Sequence, residues 1–344
     1  MTRIRIALAL TGIAAASLAF QAQTSPAAAY RFQQIAPGVY SAIGTGTLNA
    51  GSNSAVIVNR DDVMIVDSHM TPEAARAMLT ELKPISDKPV RFLVNTHFHY
   101  DHTNGNQVFG AAVDIIGHEY TRARMSAAGY MQTGLLGDLL TGLPRQIADL
   151  KARAAAEPDA AAKARLEQQL RGQTSFADQL KELKPTPPNV TLDDRMTIVR
   201  GDREIRLMYL GHGHTGGDVV VYLPRERVLC SGDLLVNGIA NLVDGYVNEW
   251  PATLEKLKTL DFDDDIPGHG EPFKGKERIG YFQDYLKDLW AQASKLHEEG
   301  VAAPDAAKRI DLTAHKAHYA TITGPGVNPA AVARIYAVIE HRAD

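Results

Sequence analysis

Residues 95–102 read Asn-Thr-His-Phe-His-Tyr-Asp-His, so four side chains able to bind a metal, His97, His99, Asp101 and His102, fall within one short stretch. The stretch follows directly on an apolar run over 89–94. Side chains of an extended segment alternate, so His97, His99 and Asp101 are expected on one side and His102 on another. One ion could not readily take all four, whereas two neighbouring ions could. Imidazole and carboxylate suit zinc, and a catalytic zinc keeps a coordination position open for water. Three further candidates stand at strand ends or in loops. His214 lies in Gly-His-Gly-His-Thr-Gly-Gly-Asp (211–218), Asp233 in Ser-Gly-Asp (231–233) and His269 in Pro-Gly-His-Gly (267–270). Glycines flank each of them, as expected where the backbone must turn sharply to aim a side chain.

The segments that must position these residues read as short strands. Runs over 39–43, 54–58 and 63–66, the last after the polar turn Asn59-Arg60-Asp61-Asp62, form a hairpin pattern. Thr71, Pro72 and Glu73 supply a cap, a first-turn proline and an early acid for a helix over 74–82. Residues 89–94 read as a buried strand, and strand patterns return at 197–199, 205–209, 219–223 and 227–230, with Gly201-Asp202 as a turn. Strand, helix, strand in this order predicts sheet layers covered by helices.

Residues 119–188 differ in character. The stretch 151–170 is rich in the helix formers Ala, Arg, Gln and Glu; Pro158 interrupts it, and Pro185, Pro187 and Pro188 close the segment. It reads as an inserted helical segment, either a lid or a solvated helical hairpin. Beyond Gly280 the chain is helical again, with Tyr281, Tyr285, Leu286 and Leu289 at helical spacing and expected in the core. The division expected is a catalytic domain over 30–285 and a helical C-terminal extension over 286–344.

The composition, 45% apolar and 22% charged over 344 residues, permits a sizeable core. A net charge of -4 carries no footprint for nucleic acid or anionic membrane, so the expected partner is a small-molecule substrate; the oligomeric state stays open. The single cysteine, Cys230, excludes an intramolecular disulfide. At the start, Arg3 and Arg5 precede an apolar stretch over 6–20, and Ala27-Ala28-Ala29 stands before Tyr30. This is the pattern of a signal peptide over 1–29. The apolar run is shorter than the ~20 residues a membrane span needs. The mature protein is therefore expected to be exported without stable membrane insertion, and to be periplasmic in a Gram-negative cell.

H-x-H-x-D-H followed by G-H-T, S-G-D and P-G-H-G, in this order and spacing, resembles the metallo-β-lactamase superfamily over about 39–274, apart from the insertion. The resemblance implies an α/β fold of the αββα sandwich type with two zinc ions per chain at one edge. By motif, His97, His99 and His214 would hold the first metal. Asp101, His102 and His269 would hold the second, with Asp233 bridging. Asp67 resembles the buried carboxylate that supports such ligands. A hydroxide shared by the metals would attack, oriented by Asp101 as the catalytic residue; no Ser-His-Asp or Cys-His triad is evident. Duller roles are expected elsewhere. His212 reads as a loop or supporting residue, His69 as a surface-loop residue and His118 as structural. His297, His315, His318 and His341 read as solvated, and Cys230 as a small buried side chain.

The superfamily hosts several chemistries, so fold alone decides little. An acid where His99 stands would mark the flavodiiron branch, and iron persulfide dioxygenases lack part of the second metal's ligands. Asp233 together with His102 resembles thioesterases of the glyoxalase-II type and lactonases, whereas export leans towards β-lactamase-like proteins. The expectation is a ring opener acting on a cyclic amide or ester, with a thioesterase second. A non-catalytic binding module on the same fold is the alternative from another class, and it would have lost ligands.

Overall fold

A computed structural model describes residues 27–342, so the expected leader lies outside the described residues apart from its last three. A seven-stranded sheet keeps sequence order: β1 (Tyr30–Ala36), β2 (Val39–Gly44), β3 (Ser54–Val58), β4 (Val63–Val66), β5 (Val90–Val94), β6 (Asp114–His118) and β7 (Val190–Leu192). A six-stranded sheet comprises β8 (Arg195–Arg200), β9 (Arg203–Tyr209), β10 (Val219–Leu223), β11 (Val228–Gly232), β12 (Asp264–Pro267) and β13 (Phe273–Lys274), again with sequence neighbours paired. Strands β4 to β7 pair in parallel, as do β11 and β12, and each parallel pair needs a crossover. Helix α1 (Pro72–Leu82) makes the first of them, with Thr71 Oγ1 accepting from Ala74 N at 3.1 Å as the cap.

Alternation within strands builds the layers. In β10, Val219, Val221 and Leu223 point between the sheets, while Val220 and Tyr222 point to the helices outside. In β3, Ala55 and Ile57 face the second sheet and Val56 faces α1. Strands covered on both faces therefore read as continuous apolar runs rather than alternating ones. The result is helix, sheet, sheet, helix.

Four helices follow α1 before the second sheet: the single turn α2 (Tyr100–Thr103), α3 (Glu119–Ser126), α4 (Gly134–Ala156) and α5 (Ala160–Leu180). Pro158 sits in the link between α4 and α5, and Asp159 Oδ2 caps α5 by accepting from Ala162 N at 2.7 Å. Leu143, Phe176 and Leu180 join this pair into its own small core, which packs against Met70 near the site.

The outer layer on the second sheet is formed by α6 (Trp250–Lys258), α7 (Glu277–Glu298), α8 (Ala303–Arg309) and α9 (Pro329–Ile339), which share one apolar cluster with Val220 and Leu229. The division expected at 285 falls inside α7, because this cluster is continuous from Trp250 to Tyr336. Tyr285, Leu286 and Leu289 are buried as expected, but Tyr281 is 38% exposed and stacks on His318 with ring centroids 3.6 Å apart. His297 and His315 are paired with Glu340 and Asp288 rather than freely solvated. Among the described residues no helix is long and apolar enough to cross a membrane.

Candidate metal centre

The chain leaving β5 carries the histidine motif, and Asp67 at the end of β4 holds it. Asp67 adopts φ 63°, a left-handed conformation that costs a non-glycine residue about 1–2 kcal/mol and concentrates at functional sites. In that position its Oδ1 accepts from Thr96 N at 2.8 Å. Its Oδ2 accepts from Thr96 Oγ1 at 2.7 Å and lies 2.8 Å from His102 Nδ1. The expectation of an extended run fails after His99: Tyr100–Thr103 is a helical turn, so Asp101 and His102 reach the same cluster instead of diverging.

Three ring nitrogens converge at one point. His97 Nε2 and His214 Nε2 lie 3.0 and 2.9 Å from His99 Nδ1. Beside them, Asp101 Oδ2 is 3.3 Å from His269 Nε2 and 3.6 Å from His102 Nε2. Asp233 stands between the two groups, 3.5 Å from His214 Nε2, 3.5 Å from His102 Nε2 and 3.2 Å from His269 Nε2. All seven residues singled out in the sequence are thus brought together.

The electrostatics call for cations. Among the described residues no lysine or arginine forms a salt bridge with Asp67, Asp101 or Asp233. Burial opposes a charged His102, yet Asp101, Asp233 and Asp67 push its pKa up to about 9. His269 is driven up to about 11 by Asp233 and Asp101, against burial. Burial and then the surrounding imidazoles hold His97 well below its ordinary value. Buried Asp233 Oδ1 and His214 Nδ1 have no hydrogen-bond partner. Converging ring nitrogens, buried carboxylates with no lysine or arginine partner and an unpartnered carboxylate oxygen fit two divalent cations, and nitrogen with oxygen donors is a zinc-type set.

Packing admits little variation here. A Cβ on Gly268 would lie 2.1 Å from Asp233 Oδ1 and 2.8 Å from His102 Cε1, so only glycine lets that strand end approach. Asp218 fixes the loop of His214, accepting from Thr215 N at 2.9 Å and Thr215 Oγ1 at 2.6 Å, and burial raises its pKa to about 7.

One supporting residue escaped the sequence reading. Asp244 Oδ2 lies 2.9 Å from His99 Nε2, although the two are 145 positions apart and no motif surrounds Asp244. Arg334 of α9 steadies its loop, donating to the carbonyls of Asp244 and Gly245 at 3.2 and 3.1 Å. A carboxylate behind a ligating imidazole fixes its tautomer and raises its basicity. Asp244→Ala is expected to weaken the first metal's binding about 10–100-fold in chelator competition. Unchanged affinity would remove Asp244 from the site.

Other histidines stay outside it. His69 is fully buried, not at the surface: it bridges Ser54 Oγ and Ser52 O, each at 3.0 Å, and burial drops its pKa to about 4. A polar residue in a loop reads as exposed unless its buried partners are known. His212 stacks on Tyr246 and reaches Glu249 at 3.1 Å, and His118 caps α3 through Tyr120 N at 3.0 Å. Cys230 is buried, and burial raises its thiol pKa well above the ordinary value.

The sequence profile of the metallo-beta-lactamase superfamily matches residues 49–269. The chain belongs to that superfamily. The superfamily is largely hydrolytic, and its members bind metal ions, usually zinc. The chain is 24% identical over 274 residues to the linear primary-alkylsulfatase of Pseudomonas sp. (strain ATCC 19151), covering 75% of this chain and 50% of the relative. It is 31% identical over 139 residues to the metallo-beta-lactamase type 2 of Bacteroides fragilis, covering 37% of this chain and 55% of the relative. The chain thus spans about half the length of these curated relatives. Among solved structures, a metallo-beta-lactamase from Pontibacter korlensis superposes with a TM-score of 0.52 at 18% identity, covering 75% of this chain and 99% of that one. At that identity the likeness concerns the fold.

Proposed function

We propose that the protein is a binuclear zinc hydrolase that opens a small cyclic amide or ester. The observation that carries this is Asp233, placed within 3.5 Å of imidazoles from both ligand groups, as a bridging carboxylate requires. His97, His99 and His214 would hold one ion, and Asp101, His102 and His269 the other. When bound, such a pair supplies Lewis acidity and a hydrolytic nucleophile at neutral pH.

The chain's own residues do the rest. Asp101 faces the cleft, and His102 and His269 overcome burial to hold its pKa down to about 2, so it stays ionised and can orient the attacking water. Asp67 and Asp244 lock the imidazoles of His102 and His99 in orientation. The cleft above the site, about 270 Å³, is walled by Leu135, Val236, Ile239 and Ala240, which take an apolar body and exclude water. Leu135 comes from the first turn of α4, so the inserted helices contribute a wall.

A second reading is sulfate-ester hydrolysis. It is favoured by the alkylsulfatase relative, whose likeness spans three quarters of this chain, and by the apolar wall. Zinc-loaded protein assayed on nitrocefin, an acyl-homoserine lactone, a glutathione thioester and an alkyl sulfate tests both. Cleavage of the lactam or lactone with the highest kcat/KM is expected. Preference for the alkyl sulfate or the thioester would move the substrate class, and no hydrolysis of any would oppose the ring-opening assignment.

A further inference from the structure

Three small residues, Ala27, Ala28 and Ala29, end the expected leader, and the fold treats them unequally. Ala27 and Ala28 are exposed, whereas Ala29 and the following Tyr30 are buried. The Tyr30 hydroxyl donates to Ala74 O of α1 at 3.0 Å, and its ring lies against that of His69 with centroids 4.8 Å apart. At this point two successive backbone amides turn to one carboxylate. Ala29 N donates to Glu81 Oε1 at 2.8 Å, and Tyr30 N to Glu81 Oε2 at 3.0 Å.

Glu81 is badly placed for an acid. It is half-buried in the last turn of α1, where the helix dipole presents its negative end and no basic residue stands. Among the described residues no lysine or arginine forms a salt bridge with it. Neutral amides satisfy its oxygens but leave its charge uncompensated. An ammonium at either amide position would supply the donor and the charge together. The sequence contains one route to such an ammonium: the basic start, apolar run and Ala-Ala-Ala pattern before Tyr30, which neither the metal centre nor the proposed hydrolysis uses.

We propose that Glu81 is the seat of the α-amino group created when the leader is removed, so that maturation completes an ion pair at the start of β1. The cut is a hydrolysis by an endopeptidase of the export machinery. Water adds across the Ala29–Tyr30 amide, the carbonyl carbon leaves on the leader as a carboxylate, and Tyr30 N takes up protons to become an ammonium. An α-amino group has an ordinary pKa of about 8 and is charged at neutral pH. Tyr30 N already lies 3.0 Å from Glu81 Oε2, so seating it asks for no movement of β1. A cut one residue earlier puts Ala29 N on Oε1 and serves the same seat. The inference rests on export and not on the hydrolase reading, so the two fail separately.

Mass spectrometry of the chain exported by a Gram-negative host under its own leader reads the cut directly. A start at Tyr30 or Ala29 is expected, and any other start, Met1 included, would overturn the seat. The chain with the start so found, released from a fusion without added residues, is then compared with one that begins at Ser25. Both are melted as wild type and as Glu81→Gln. The processed wild-type chain should melt about 2–4 °C above the longer one, the shift that one charged hydrogen bond gives a large domain. Glu81→Gln should erase that difference, and a difference that survives the substitution would overturn the ion pair. A further measurement needs no variant. The α-amino group of the folded, processed chain should react with acetic anhydride at least about tenfold more slowly than in urea, because a charge-assisted hydrogen bond holds it protonated. Equal rates in the folded and unfolded chain would overturn the proposal.

Discussion

Asp101→Asn is expected to lower kcat/KM by about 10²–10⁴-fold, the range that loss of a positioned catalytic group produces, while the fold persists. The substitution keeps shape and removes charge. Asp101 Oδ2 sits 3.3 Å from His269 Nε2 and faces the cleft, so the carboxylate is a candidate ligand in reach of an incoming water. Asparagine carries no charge at that oxygen and binds a divalent cation less well. Asp101 belongs to none of the apolar clusters, so circular dichroism and the melting temperature of the metal-free protein should change little. A variant turning over near the wild-type rate would place the catalytic group elsewhere.

Asp233 carries the second large effect. Its side chain touches imidazoles of both ligand groups and is 6% exposed, and Gly268 leaves it no room to move aside. Asp233→Ala should weaken binding of the second metal at least about 100-fold, beyond what loss of a supporting residue does. Asp233→Cys tests substrate choice. A thiolate would bind one metal and leave the other a freer acceptor for a departing nitrogen anion. Lactam opening needs that anion stabilised, whereas an ester oxygen leaves more easily unaided. Wild type should therefore open a lactone at least as efficiently as a lactam, and the cysteine variant should shift the ratio of kcat/KM values towards lactams. Wild-type lactam turnover near the upper end of the ~10⁴–10⁸ M⁻¹s⁻¹ range, with no lactone activity, would contradict this account of the bridge.

The ligands were legible because each is announced locally. The 97–102 motif follows an apolar strand, and His214, Asp233 and His269 stand among glycines that close approach or positive φ explains. The layers were legible for a similar reason: β3, β4 and β10 are apolar on both faces. What was not legible depends on distant partners. Asp244 meets His99 only after the loop before α6 folds back, and Arg334 holds that loop from the other end of the chain. His69 is buried because Ser52 and Ser54 satisfy both ring nitrogens, a pairing between a strand start and a later loop. The helical turn at Tyr100 carries no strong start signal, with no side-chain cap at His99, so alternation misplaced His102. Tyr281 keeps helical spacing with the core but falls on the edge of the stripe, where His318 covers it.

The central claim is a pair of metal ions held by one chain. Elemental analysis of full-length protein purified without chelator, followed by zinc titration of the metal-free form, addresses it directly. The account predicts two zinc ions per chain, one binding event lost in His214→Ala and the other in His269→Ala, each variant keeping its secondary structure. Protein that carries a single iron and no zinc, or binds one zinc that survives both substitutions, would contradict it.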